Sequence, residues 1–199
     1  MKRNAAAALR NRAPILEVLR GLFAPQCHVL EVGSGTGQHA DFFTENVPGW
    51  RWQPTDLDDA NLASIDGYRA DAGRDNFLPP VRLDAHSTEW PPEHYDAVFS
   101  ANMIHIAPWP VALGLFGGAA RVLEPSGLMV LYGPFRFSGQ FTAESNAAFD
   151  ARLRGDDPEW GVRDLDDICR ETAASGFEPP RIVPMPANNH VLVFGRAGR

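Results

Sequence analysis

Apolar side chains at Ile15, Val18, Leu19, Leu22 and Phe23 recur at helical spacing, and Pro14 suits a first turn, so a short amphipathic helix is expected there. An apolar run reaching Val32 reads as a strand buried on both faces. It leads into a glycine-rich turn at residues 33–37 and a second helix, whose Ala40, Phe43 and Val47 share one face until Pro48-Gly49 ends it. Strands are expected over residues 50–55, 81–83, 95–100 and 128–132, and helices over 58–68 and 111–123. A polar and aromatic insertion spans residues 135–164, with a helix over 143–153. The chain closes with a helix over 166–175, ended by Gly176, and strands over 181–185 and 190–194 joined by Pro186-Ala187-Asn188-Asn189 as in a hairpin.

Alternating strands and helices imply a parallel sheet covered by helices on both faces. The expected fold is therefore α/β and Rossmann-like: a seven-stranded, mostly parallel sheet with an antiparallel terminal hairpin. It forms one domain over residues 1–199, with an N-terminal segment and helix at 1–24, a core at 25–134, the insertion at 135–164 and the terminal helix and hairpin at 165–199.

Composition narrows the partners. The chain has 199 residues, 44% apolar and 22% charged, as in soluble globular proteins. A net charge of −7 without a long basic run argues against nucleic acid, although Lys2, Arg3, Arg10 and Arg12 precede the first acid, Glu17. No apolar stretch is long enough to span a membrane, and residues 5–9 are too short for a signal-peptide core. Cys27 and Cys169 read as separate free thiols, which points to the cytoplasm. His86, His94 and His105 lack the spacing of metal ligands, so no metal is expected. The oligomeric state is left open.

The chemistry centres on Glu31-Val32-Gly33-Ser34-Gly35-Thr36-Gly37-Gln38. Glycines let the backbone turn tightly and approach a ligand. Gln38 occupies the place of the third glycine in a dinucleotide fingerprint, and Glu31 points to a ligand with an amino group and a ribose. The pattern resembles the first motif of class I S-adenosylmethionine-dependent methyltransferases. In such sheets the ligand lies beyond the carboxyl ends of the strands. There the amides of Gly33, Ser34, Gly35 and Gly37 can meet a carboxylate. Asp56, followed by Leu57, can accept ribose hydroxyls or cap the next helix. By analogy Asp84, beside Ala85, would accept the adenine amine, or it binds amides of its own turn. Asn102 and Met103 would flank the methionine part, and Met103 could equally fill the core. His105 is the candidate general base, against a packing role, and Trp109 follows it. Tyr132, Phe135 and Arg136 follow strand five, where Arg136 could hold an anionic group or face solvent.

A closer resemblance covers nearly the whole chain. The blocks Arg10-Asn11-Arg12-Ala13-Pro14-Ile15-Leu16, Asn102-Met103-Ile104-His105-Ile106-Ala107-Pro108-Trp109, Tyr132-Gly133-Pro134-Phe135, Ser145-Asn146-Ala147-Ala148-Phe149-Asp150, Asp157-Pro158-Glu159-Trp160-Gly161-Val162-Arg163-Asp164 and Met185-Pro186-Ala187-Asn188-Asn189 resemble domain of unknown function 938. That family includes the vertebrate methyltransferase-like 26 proteins. The resemblance implies a class I methyltransferase fold with S-adenosylmethionine as cofactor, S-adenosylhomocysteine as product, and a small-molecule acceptor it does not identify. Before Arg10 the chain is alanine-rich where the family is more polar. Asn146, Trp160, Arg163, Asn188 and Asn189 either build the acceptor site or knit the insertion to the sheet. The expected function is methyl transfer to a small polar or anionic molecule. The alternative is a cofactor-binding or protein-interaction module without turnover.

Overall fold

The computed structural model describes residues 1–197. In chain order the elements are α1 (Ala6–Arg20), β1 (Cys27–Val32), α2 (Gln38–Asn46), β2 (Trp50–Asp56), α3 (Asp59–Ala72), β3 (Val81–Arg82), β4 (Tyr95–Ala101), α4 (Trp109–Val122) and β5 (Leu123–Gly133). Then follow β6 (Arg136–Phe137), β7 (Gln140–Phe141), α5 (Glu144–Asp156), α6 (Leu165–Ala174), β8 (Arg181–Met185) and β9 (Asn189–Gly195). Seven strands form one sheet in the order β3-β2-β1-β4-β5-β9-β8. Strands β1 to β5 pair in parallel, and β9 runs antiparallel to both β5 and β8. This is the expected α/β sheet.

Period-two burial assigns the two faces. Cys27 and Val29 of β1, Ala97 and Phe99 of β4 and Val130 and Tyr132 of β5 pack with Ile15 and Leu19 of α1, Phe43 of α2 and Ile65 of α3. Leu30, Val32, Val98, Met129 and Leu131 point the other way, to Leu115 and Phe116 of α4 and Ile168 of α6. The chain leaves β1 toward β2 on one side and returns as β4 on the other. That reversal opens a crevice at the carboxyl ends of β1 and β4.

Three elements depart from expectation. Helix α1 begins at Ala6 and runs through Pro14, which does not start it. The alanine run favours helix strongly enough to absorb one missing N–H, which leaves the carbonyl of Arg10 without its usual donor. Strand β5 begins at Leu123, directly after α4, and regains register at Leu128 after a bulge over the Pro125-Ser126-Gly127 stretch. Within the insertion, β6 and β7 form a hairpin whose turn residues Ser138 and Gly139 both have positive φ, at 49° and 79°. The Ser-Gly pair was its sequence signal.

Gly37, at the head of α2, has φ +88°, and a Cβ there would lie 2.9 Å from the Cα of Ile65 in α3. Both conformation and space demand glycine. Gly37→Ala is expected to lower unfolding stability by about 1–3 kcal/mol, read from urea midpoints. Gly35→Ala meets open space and carries only the backbone cost, so equal losses for the two would contradict the close α2–α3 approach.

Candidate active site

The glycine turn is held from below by the end of β2. The N–H of Ser34 donates to the carbonyl of Thr55 at 2.8 Å, and the N–H of Thr55 donates back to Ser34 Oγ at 3.1 Å. The N–H of Gly35 donates to Asp56 Oδ2 at 2.8 Å. Asp56 Oδ1 accepts from the N–H of Asp58 at 3.0 Å and from Asn61 Nδ2 at 3.1 Å. Asp56 is thus 8% exposed and fastens both the turn and the start of α3. Gly33 has φ +72°, and a Cβ on it would meet Met103 Cγ at 2.6 Å, so Met103 packs directly behind the turn.

Above the turn lies a cavity of about 770 Å³, within the range of small-molecule sites. Gly33, Ser34 and Gly35 form its floor with Ala101 and Asn102 from the end of β4. Tyr132 and Pro134 follow from the end of β5, and Arg10, Asn11 and Pro14 face in from α1. Opposite stand Ser145, Asn146, Phe149 and Arg152 of α5 and residues 186–189 of the β8–β9 turn. Asn102 takes φ +60°, unusual outside glycine, while its N–H donates to the carbonyl of Tyr132. In the far turn Ala187 and Asn188 also have positive φ, both 57°.

Gln38 does more than interrupt a dinucleotide pattern. Its Oε1 accepts from the N–H of Ala5 at 2.6 Å and from Thr36 Oγ1 at 2.8 Å, and its Nε2 donates to Asn4 Oδ1 at 2.7 Å. The N–H of Arg3 donates to Ser64 Oγ at 2.8 Å, and Lys2 pairs with Asp71 at 2.6 Å. The N-terminal segment is therefore strapped along α2 and α3 beside the glycine turn.

A line of polar side chains links the sheet to the cavity, and sequence reasoning missed most of it. Glu31 is 1% exposed and does not reach the cavity, contrary to the expectation that it meets the ligand amine. Its Oε2 accepts from Trp52 Nε1 at 3.0 Å, and its Oε1 lies 3.8 Å from His39 Nδ1. Burial pushes the Glu31 carboxyl up to about 7, against the bonds from Trp52 and Ser34. Burial also lowers His39 to about 4, so the imidazole is neutral beside a carboxyl whose protonated form burial favours. His39 Nε2 contacts Asn11 Oδ1 at 2.8 Å and must donate, because that oxygen only accepts. Burial raises the Tyr132 phenol, while Asn11 and the Arg10 guanidinium pull it down.

The cavity gathers eight of the expected positions: Gly33, Ser34, Gly35, Asn102, Tyr132, Asn146, Asn188 and Asn189. Asn146 is 5% exposed, and its Nδ2 donates to Thr142 Oγ1 at 2.8 Å and the carbonyl of Asn188 at 2.9 Å. Its Oδ1 remains for a ligand. Asn189 Nδ2 donates to the carbonyls of Pro186 and Ala187, both at 3.2 Å.

Other positions lie elsewhere. Asp84 is exposed and its Oδ1 accepts from the N–H of His86 at 2.9 Å, closing its own turn, while Ala85 is buried. Gly37 serves helix packing, and Leu57 stands 53% exposed beside the end of β2. His105 is a correction to the expected base. Its ring is 0% exposed, edge-on to Phe135 at 5.2 Å and against Gly133, with Nε2 buried and without a partner among the described residues. Burial first, then the Arg163 guanidinium, drives the imidazole down to about 3. Its Nδ1 accepts from the N–H of Arg163 at 3.3 Å, and its carbonyl accepts from the N–H of Gly161 at 2.9 Å.

Arg163 knits the insertion to the loop after β4 and lies outside the cavity. It donates to the carbonyls of Ile104, Ala107 and Glu159 at 2.9, 2.6 and 2.8 Å, and lies over the Trp109 ring at 5.5 Å. Trp109, Phe135 and Trp160 stay outside the cavity. So does Arg136, whose backbone joins Arg163 and whose guanidinium lies 5.7 Å from the Phe141 ring. The arginines that do face the cavity, Arg10 and Arg152, carried no signal of their own, because only tertiary packing brings α1 and α5 over the turn. Among the described residues no cluster of His, Cys, Asp or Glu could hold a metal, and no helix is long and apolar enough to cross a membrane.

A family model described as "Protein of unknown function (DUF938)" matches residues 2–196. Among solved structures, an O-methyltransferase described as putative from Nostoc punctiforme superposes with a TM-score of 0.82 at 15% identity, covering 95% of this chain and 56% of that. Human N-acetylserotonin methyltransferase, solved with SAM, gives 0.78 at 12% identity, covering 97% of this chain and 53% of that. The calicheamicin-biosynthesis methyltransferase CalO1, in its SAH-bound form, gives 0.75 at 19% identity, covering 96% and 55%. The chain spans little more than half the length of these structures. What it shares with them at this identity is the fold.

Opposed titrations shape stability. His39 and His105 have folded values below the ordinary 6.5, so the unfolded chain binds more protons and stability rises with pH through the window below 6.5. Glu31 has a folded value raised from 4.5 to about 7; its contribution is full below 4.5 and is lost as pH rises toward 7. Glu31→Gln keeps the Trp52 bond and removes that loss. The variant should gain stability relative to wild type by about 1.4 kcal/mol per pH unit through this window. Urea unfolding between pH 5 and 7.5 checks it, and parallel profiles would contradict a protonated Glu31.

Proposed function

The chain belongs to the DUF938 family, and from that premise we propose that it is an S-adenosylmethionine-dependent methyltransferase acting on a small polar or anionic molecule. The observation that carries the reading is the glycine turn held open by Thr55 and Asp56 at the floor of a large cavity. A Cβ on Gly35 would point into open space, so the turn offers bare backbone to a ligand.

The residues present fit the cofactor. Gly33, Ser34 and Gly35 would pack their bare backbone against the methionine part; contrary to expectation the amides of Ser34, Gly35 and Gly37 are spent on Thr55, Asp56 and Ser34 and do not meet its carboxylate. Asp56 uses three of the about four lone-pair sites of its carboxylate internally, leaving one for a ribose hydroxyl. The exposed Leu57 would cover the adenine face, with Asp84 and Ala85 at its edge, and Asn102 and Met103 would flank the sulfur end. When bound, S-adenosylmethionine supplies an electrophilic methyl group and is left as S-adenosylhomocysteine. The chain's own part is positioning: the cavity walls hold an acceptor against the floor, which is the main requirement for a displacement of this kind. His105 stands outside the cavity, and the reading assigns it a packing role. The free thiols of Cys27 and Cys169 support a reducing compartment, the cytoplasm.

Calorimetric titration with S-adenosylmethionine, S-adenosylhomocysteine and NAD tests this reading. Saturable binding of the first two and none of NAD is expected. Asp56→Ala should weaken both by about 10–100-fold, through loss of the ribose acceptor and of the hold on Gly35. Failure to bind either methionine nucleoside sinks the reading, and binding without transfer of a labelled methyl group to any metabolite leaves a binding module.

A further inference from the structure

The cavity's charge runs against that of the whole chain. Aspartate and glutamate outnumber lysine and arginine by 25 to 18, yet among the described residues the cavity is lined by two arginines and no carboxylate. Some arginines elsewhere are paired, such as Arg74 with Asp41, Arg154 with Asp150 and Arg170 with Asp167, and others such as Arg163 are spent on backbone carbonyls. Arg10 and Arg152 make no ion pair among the described residues, although both face the same space from opposite helices. Arg152 lies over the ring of Phe149, another wall residue, at 5.1 Å. Stacking of this kind holds a guanidinium in one plane and leaves its edge free to bind.

Tyr132 adds a third donor: its phenol lines the same space, where an O–H can donate to a ligand oxygen. The acceptor oxygen of Asn146 stands on the wall that carries Arg152.

Resting on the methyltransferase reading, we infer that the acceptor molecule carries a carboxylate or a phosphate, received by Arg152 with Arg10 and Tyr132. The O–H or N–H that takes the methyl would be oriented by donating to Asn146 Oδ1, and its proton would leave to solvent water as the methyl carbon parts from sulfur. Arg152 belongs to the insertion and Arg10 to α1, so both arginines reach the cavity from elements other than the glycine turn at its floor. Arginine suits both oxyanions because its fork matches their paired oxygens.

A metabolite extract passed over an anion exchanger at neutral pH supplies the test. The retained and unretained fractions are each incubated with protein and methyl-labelled S-adenosylmethionine at limiting extract. Label is expected to enter compounds of the retained fraction alone. Arg152→Gln should lower that transfer about 10–100-fold while leaving S-adenosylmethionine affinity unchanged, and Arg152→Lys should restore part of it. Phosphatase treatment of the fraction beforehand separates the two anions: transfer that disappears identifies a phosphate, and transfer that survives a carboxylate. Transfer to the unretained fraction overturns the inference, and so does an Arg152→Gln protein with undiminished transfer. Loss of cofactor affinity in Arg152→Gln also overturns it, by assigning the arginine to the donor. Failure of the wild-type protein to bind S-adenosylmethionine defeats the methyltransferase reading itself.

Discussion

Two backbone amides of the turn after β1 donate to the end of β2, that of Ser34 to the Thr55 carbonyl and that of Gly35 to the Asp56 carboxylate. The arrangement of the cavity depends on this hold. Glycines alone leave a turn able to adopt many shapes. The two bonds select one in which bare backbone faces the crevice between β1 and β4. The same carboxylate bonds the N–H of Asp58 and the side chain of Asn61, so α3 is set by the group that sets the turn. Asn61 in turn accepts from Arg3, which ties the N-terminal strap to the same unit. A ligand contact at Asp56 therefore reaches turn, helix and strap together.

Around that floor the walls are fastened by buried polar groups. Glu31, His39 and Asn11 connect β1, α2 and α1 beside Tyr132, and burial favours the neutral form of the first two. Neutrality matters because an unpaired buried charge would be far more costly than an unpaired dipole. The opposite wall is fastened by Arg163, whose guanidinium gives three of its five donors to backbone carbonyls outside the cavity. His105 completes that joint by accepting from the Arg163 amide, which explains both its burial and its absence from the cavity.

These assignments separate two kinds of arginine. Arg136 follows a strand end and Arg163 falls in a family block of the insertion, and both looked suited to an acceptor. In the fold the Arg163 guanidinium is held by backbone carbonyls and the backbone of Arg136 joins it there, outside the cavity. Arg10 and Arg152 lie on helix faces with nothing local to mark them, and they meet only because α1 and α5 close over the same crevice. Net charge could not have shown this either. An acidic chain with a carboxylate-free cavity is a statement about placement, which composition averages away.

The sequence by itself determined the sheet, the alternation of helices, the glycine turn and the acidic strand end at Asp56. All of these rest on local rules: period-two and helical spacing, glycine at positive φ and an acidic side chain within a few residues of a turn. It also placed Asn146, Asn188 and Asn189 among the candidates that proved to face the cavity. Only the tertiary structure decided that Glu31 and His105 are sealed inside, that Gln38 anchors the N-terminal strap and that Asp84 closes its own turn. It alone made a wall of α1, whose helix runs through Pro14. The reason is physical: burial and hydrogen-bond partners are set by elements far apart in the chain. Whether a polar side chain becomes a ligand contact or a fastener depends on which of its atoms the neighbours have already satisfied.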